Sequence, residues 1–287
     1  MSSVTSVPIV PKKVYFFWGK QKMSWLRYMT LWTFKKFNPN WSMYLYVYDT
    51  PIKNKYWENE EDQDFFRYDG DDYFERAIKL ATVREWKGGI VTGPSHQSNL
   101  FKWTMLSTQG GVYSDMDILW VKPFDIYEEF RHYDVALSCF DNVFSIGLLG
   151  STSGNKVFER ILEETKKVKD FTRYQSMGVE VLYRLLDLQE VYKIEDTIPR
   201  RFNLYYMLQV YFPGVKFFNL PRNWIYPFKC FEIDNLFERV VSLPENCIGI
   251  HWYAGAAISQ RWNIMLDESK LVRFDSTLVR ALKRVLE

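Results

Sequence analysis

Gly110-Gly111-Val112-Tyr113-Ser114-Asp115-Met116-Asp117, followed by Ile118-Leu119-Trp120, is the stretch on which the reading of this chain turns. The glycine pair closes a helical pattern over 96–109, where C-cap glycines belong. Val112 to Asp117 then reads as a short strand ending in acids. A strand sends residues i and i+2 to one face, so Asp115 and Asp117 are expected to point the same way. Converging carboxylates repel unless solvent or a cation separates them. Their hard oxygens suit Mg²⁺ or Mn²⁺, ions often shared with phosphates. Apolar residues on both sides set this pair apart from two acids on a solvated turn.

Upstream, Val14-Tyr15-Phe16-Phe17-Trp18 is an unbroken apolar run ended by Gly19, the pattern of a buried parallel strand. Ser24 can cap a helix running to about Phe37, which Asn38-Pro39-Asn40 breaks. Residues 43–48 form the next strand. This β-α-β opening predicts a right-handed crossover and a parallel pair. Residues 50–70 read as irregular, and a helix is expected over 72–87, with Gly88-Gly89 at its end. Downstream, strands are expected at 134–139 and 144–149. Helices fit 153–168, capped by Ser153, then 176–188 and 267–286. Cys247 to Trp252 reads as a final buried strand. Strands alternating with helices argue an α/β fold with a mostly parallel central sheet flanked by helices. In the expected organisation, residues 1–287 form one domain: a loose arm at 1–10, a ligand-binding part at 11–150 and a second part at 151–287 ending in a helix.

Charge and composition narrow the function. The chain has 287 residues, with 37 Lys+Arg against 35 Asp+Glu, a net charge of +2. No basic surplus marks it for nucleic acid. Aromatic residues reach 18%, enough to fill a core and still offer flat faces to sugars or bases. Three cysteines, Cys139, Cys230 and Cys247, lie far apart, which argues for reduced core thiols in a cytosol-like compartment rather than a disulfide framework or a zinc site. The first residues lack a basic start followed by an apolar h-region, and no apolar run approaches a membrane span. The expectation is a soluble, cytoplasmic chain.

Two further features stand out. His251 follows the apolar run Ile248-Gly249-Ile250 at an expected strand end, and a neutral imidazole there can ligate a metal. Phe17-Trp18-Gly19 ends the first strand, where an aromatic beside glycine lets backbone approach a flat ring. From the residues alone, three functions are open: sugar transfer, phosphate-ester hydrolysis or nucleotidyl transfer on the paired acids, and non-catalytic sugar binding.

The order Pro11-Lys12-Lys13-Val14 to Trp18-Gly19, Asn38-Pro39-Asn40-Trp41 and Ser98 to Asp117 resembles the DXD-motif glycosyltransferases. These include the yeast α-1,6-mannosyltransferase, animal α-1,4-galactosyltransferases, and bacterial and large-virus polysaccharide enzymes. The resemblance is good over about the first 150 residues and loose beyond. It implies a GT-A fold, a single Rossmann-like domain that binds a UDP-sugar donor with Mn²⁺ or Mg²⁺. Phe17, Trp18 and Gly19 would line the uracil pocket. Tyr113 would join the donor site, Asp115 would contact ribose or sugar, and Asp117 would ligate the metal, with His251 completing its shell. The family pattern Ser-Asp-x-x-Arg reads Ser98-Asn99-Leu100-Phe101-Lys102 here. Its acid has become an amide and its guanidinium an ammonium, which points to an unusual donor sugar, hexose or pentose. The acceptor would be a glycan, protein- or lipid-linked, in a bacterium or in the host cytoplasm of a virus. Most of the family retains anomeric configuration. Asp141 and Glu180 are the further acids that could serve at the acceptor hydroxyl.

Overall fold

A computed structural model describes residues 9–19, 21–48, 68–88, 93–195, 198–199 and 201–287. The strands are β1 (Lys13–Trp18), β2 (Ser42–Tyr48), β3 (Thr82–Trp86), β4 (Gly111–Ser114), β5 (Ile118–Trp120), β6 (Val135–Phe140), β7 (Val143–Ser151), β8 (Phe217–Asn219) and β9 (Gly249–His251). Seven of them form one sheet in the order β3-β2-β1-β4-β7-β6-β8, and β5 pairs with β9 in a separate ribbon. Every pairing in the large sheet is parallel except those of β7, which runs antiparallel to both β4 and β6. The fold is the expected α/β sheet flanked by helices.

Period-two patterning explains why β1 sits in the middle. Val14, Phe16 and Trp18 pack into the core on one face, and Tyr15 and Phe17 into the core on the other. A strand buried on both faces has no use for polar residues, hence the unbroken apolar run. The helix Trp25–Phe37 covers the first face. Ser24 caps it, accepting a hydrogen bond from Arg27 N, and Asn38 ends it by donating back to Phe34 O. The helix Pro94–Thr108 lies on the other face, with Pro94 in its first turn.

Gly110 is where this second helix must end. Its φ is +62°, and a Cβ there would come within 2.5 Å of Ser153 N. Gly110→Ala is therefore expected to lower stability by about 1–3 kcal/mol from the backbone conformation alone, with the backbone clash added. A fall in the urea midpoint at unchanged slope would show it.

Several boundaries differ from the sequence expectations. The helix expected over 72–87 is only Phe74–Ala77, and 82–86 is the edge strand β3. Thr82, Val83 and Trp86 favour strand, and pairing with β2 decides the matter. The helix after β7 starts at Lys156, because Asn155 rather than Ser153 accepts from the first backbone amides. The terminal helix divides into a 3-10 segment, Glu268–Arg273, and the helix Thr277–Leu286, because Ser276 caps the latter anew. The final strand is Gly249–His251, and it joins the β5 ribbon rather than the central sheet. Of the arm, residues 1–8 lie outside the described residues, while Val10 is fully buried and donates its N–H to Arg131 O. Gly89 and the greater part of the irregular 50–70 stretch also lie outside them. No helix among the described residues is long and apolar enough to cross a membrane. Cys247 is buried and Cys139 half-buried, but Cys230 is exposed rather than in the core. Burial pushes the thiols of Cys139 and Cys247 up to about 12.

Candidate active site

β1 and β4 end side by side, and the chain leaving β4 does not stay extended. Asp115 still donates its N–H to Gly147 O of β7, then Met116 and Asp117 turn into β5. The two acids therefore converge through a turn and not through strand alternation, which corrects the pleat argument. Turning is enforced because β5 leaves the central sheet to pair with β9, with Ile118 opposite His251. That ribbon brings His251 to Asp117 from the far end of the sequence.

Asp117 is gripped at both ends of the residue. Its carbonyl accepts from Trp252 N, and its Oδ2 accepts from Ala254 N at 2.9 Å. Tyr253, at φ +45°, makes the sharp turn that lets the second amide reach back. The other oxygen, Oδ1, is buried without a hydrogen-bond partner, 3.3 Å from His251 Nε2. Asp115 Oδ2 lies 3.9 Å from the same nitrogen. Ligand atoms of Asp115, Asp117 and His251 all fall within 4.8 Å of one another. Two hard oxygens and an imidazole, one oxygen buried and unsatisfied, form a donor set that fits a divalent cation.

Asp115 has its own support. Tyr113 donates its hydroxyl to Asp115 Oδ1 at 2.6 Å, Ser98 Oγ lies 2.7 Å from that hydroxyl, and Lys102 Nζ is 3.4 Å from Oδ1. Lys102 also donates to Ile146 O and is almost fully buried. Burial would push the Asp115 carboxyl up, but the Lys102 ammonium, His251 and the Tyr113 hydroxyl together hold it below the usual carboxylate range. Burial first, then the Asp115 charge, pushes Tyr113 and Tyr226 well above the ordinary phenol range, so both stay protonated.

These groups floor a cavity of about 640 Å³ that Phe17, Trp18, Gly19, Ser98 and Asn99 also line. The structure thus gathers Phe17, Trp18, Gly19, Ser98, Asn99, Lys102, Tyr113, Asp115, Asp117 and His251 around one space. Asp141 and Glu180 do not line it. Asp141 (φ +51°) and Asn142 (φ +58°) form the two-residue turn between β6 and β7, and the Asp141 carboxylate pairs with Lys229 at 2.7 Å. Glu180 is buried and accepts from Arg173 Nε at 2.9 Å. One stands in a turn and the other faces a guanidinium, so neither contributes to the lining of this space.

Sequence reasoning missed three residues here. Gly147 sits where a Cβ would meet Asp115 Oδ2 at 2.9 Å and His251 Nε2 at 3.0 Å. A glycine inside a strand pattern is the signal that could have found it. Tyr226 and Tyr253 flank the imidazole, at centroid distances of 5.0 and 4.4 Å, and so fix its plane. Tyr253 follows His251 closely, but nothing near Tyr226 marks it.

Residues 71–134 match the family model described as a glycosyltransferase sugar-binding region containing a DXD motif. Among solved structures, the chain is similar to the PaToxG glycosyltransferase (14% identity, 73% of this chain and 81% of that one, TM-score 0.41). It is also similar to the glycosyltransferase GlyE of Streptococcus pneumoniae TIGR4 (15% identity, 97% and 61%, TM-score 0.42). A third is the galactosyltransferase LgtC, solved with donor and acceptor sugar analogues (10% identity, 91% and 100%, TM-score 0.40). The chain spans about three fifths of GlyE. None of the curated proteins matches it.

Proposed function

We propose, from the premise that this chain is a DXD-motif glycosyltransferase, that it transfers a sugar from a UDP-sugar to a glycan hydroxyl with retention of configuration. The observation that carries the reading is the Asp115, Asp117 and His251 cluster, with its unsatisfied buried oxygen, on the floor of the cavity where β1 and β4 end. Open α/β sheets bind their ligands at such strand ends. Asp115, Asp117 and His251 would hold a divalent cation, Mn²⁺ or Mg²⁺, which offsets charge on the leaving diphosphate.

The remaining roles belong to the chain's own side chains. Trp18 and Phe17 offer aromatic faces to the base. Lys102, Tyr113 and Ser98 hold the Asp115 carboxylate in place, so it does not swing when a sugar docks. Asn99 faces the cavity as a neutral donor and acceptor for sugar hydroxyls. In the reaction, the bond from the anomeric carbon to the diphosphate oxygen breaks, the acceptor oxygen bonds that carbon, and its proton departs with the diphosphate. Inversion would call for a carboxylate base beside the acceptor. Among the described residues, the acids lining the cavity are Asp115 and Asp117, both committed to the cluster, and this favours retention.

The test is nucleotide release from a panel of UDP-, GDP- and dTDP-sugars, with Mn²⁺ and with EDTA. One UDP-sugar is expected to be hydrolysed slowly with Mn²⁺ and not in EDTA. Equal turnover in EDTA would remove the metal assignment. Cleavage of simple phosphate esters without any sugar-nucleotide turnover would replace transfer with hydrolysis.

A further inference from the structure

The cavity is chemically lopsided. Its charged lining residues among those described are Arg27, Lys102, Asp115, Asp117 and His251. Four of these are the cluster and its lysine, and Arg27 belongs with Trp18, its guanidinium 5.6 Å from that ring. The other end is built by the first residues of β7, the helix Val179–Leu185 and the segment beyond it. Val143, Phe144, Tyr183, Tyr192 and Ile198 line it, with no charge among them. Phe144 packs on Tyr183 at 5.8 Å, and Tyr183 on Tyr192 at 4.8 Å. The charged Arg173, 6.0 Å from the Tyr192 ring, is paired with Glu180.

β7 measures the separation. Gly147 touches the space of Asp115 and His251, and Val143, four residues earlier, is 40% exposed at the opening. At roughly 3.3 Å per residue, the strand carries the wall at most about 13 Å away from the cluster. A donor whose diphosphate lies over the three ligands leaves this end for the second substrate.

We infer that the uncharged end of the cavity is the acceptor subsite, and that the acceptor is a neutral saccharide presenting a flat apolar face to Tyr192 and Val143, not an acidic one. The inference rests on the glycosyltransferase reading and narrows its acceptor. Burying an unpaired carboxylate against Phe144 and Ile198 would carry a desolvation penalty, and among the described lining residues the cations, Arg27 and Lys102, stand at the other end. An aromatic wall suits the C–H face of a pyranose or an aryl aglycone instead.

The experiment uses the full chain, the active nucleotide-sugar and three acceptors: a neutral alkyl glycoside, the matching aryl glycoside, and a uronic-acid glycoside. The neutral pair should be used and the uronate should not, with the aryl compound the better acceptor. Tyr192→Ala should raise the acceptor KM about tenfold, more than it changes the donor KM, and Tyr192→Phe should restore it. Val143→Lys, at an exposed position that tolerates the change, should admit the uronate. Saturation-transfer NMR should show the aryl ring and the C–H face of the glycone closest to the protein. Uronate used as well as the neutral acceptors, or an acceptor KM unmoved in Tyr192→Ala, would overturn the inference. A wild-type protein that turns over no donor would instead remove the glycosyltransferase reading, and this inference with it.

Discussion

Asp117→Asn is expected to remove divalent-cation binding and to lower sugar-nucleotide turnover by about 10²–10³-fold, while the protein stays folded. The reasoning follows the two oxygens of the carboxylate. Oδ2 accepts from Ala254 N, and an asparagine carbonyl can take the same bond. The loop around Tyr253 therefore keeps its anchor. Oδ1 is the oxygen that has no partner and faces His251. An amide nitrogen there can donate to the imidazole, which closes the gap that a cation would fill. Mn²⁺ titration followed by electron paramagnetic resonance separates the two effects. Wild-type protein should bind, and the variant should not, with superimposable circular dichroism. Undiminished Mn²⁺ binding by Asp117→Asn would assign the ion to other ligands.

Gly147→Ala should be nearly as damaging, although it adds one carbon to a strand. The new Cβ would stand 2.9 Å from Asp115 Oδ2 and 3.0 Å from His251 Nε2. A free carboxylate could swing away at little cost, but this one is held by Tyr113 and Lys102. Either the carboxylate gives up those bonds or β7 shifts. A displacement near 1 Å in a reacting site can lower the rate about 10²-fold. The expected result is a loss of that order in kcat/KM for the donor, with the circular dichroism spectrum of the wild type. Donor kinetics equal to wild type would show that the three side chains do not converge there in solution.

The strands buried on two faces were legible because burial writes itself into the sequence. Val14 to Trp18 could be nothing else once the run exceeded a turn and lacked a charge. The acid pair was legible too, although for a partly wrong reason: the residues converge by leaving the sheet, and no local pattern announces that β5 will seek β9. Edge strand β3 was read as helix because its side chains are mostly exposed and carry little periodic signal. Asp141 and Glu180 show how little a lone acid tells. An acid near a strand end can serve a substrate, a turn or a neighbouring cation, and only the positions of Asn142, Lys229 and Arg173 tell these apart. Tyr226 was beyond reach, since its value lies entirely in a ring placed beside His251 by tertiary packing.

The tip of the β6–β7 hairpin has a consequence far from where it lies. Two-residue turns with both φ angles positive fix which residues face each other across the ladder, and here Phe140 stands opposite Val143. Beyond Ser145 that register shifts, and it is the pairing of β7 with β4 that delivers Gly147 to Asp115. A slip of one residue against β4 would bring Ile146 or Leu148 opposite the acid and turn the paired side chains of β7 to the other face. Hairpins of this kind close in about 1–10 μs, with only two residues between the strands. The turn at Asp141 and Asn142 thus sets the tip of the hairpin, and the pairing with β4 sets which residue stands beside the acids. A mutation that moved β7 against β4 would take Gly147 from Asp115 while Asp115, Asp117 and His251 all remained in the sequence.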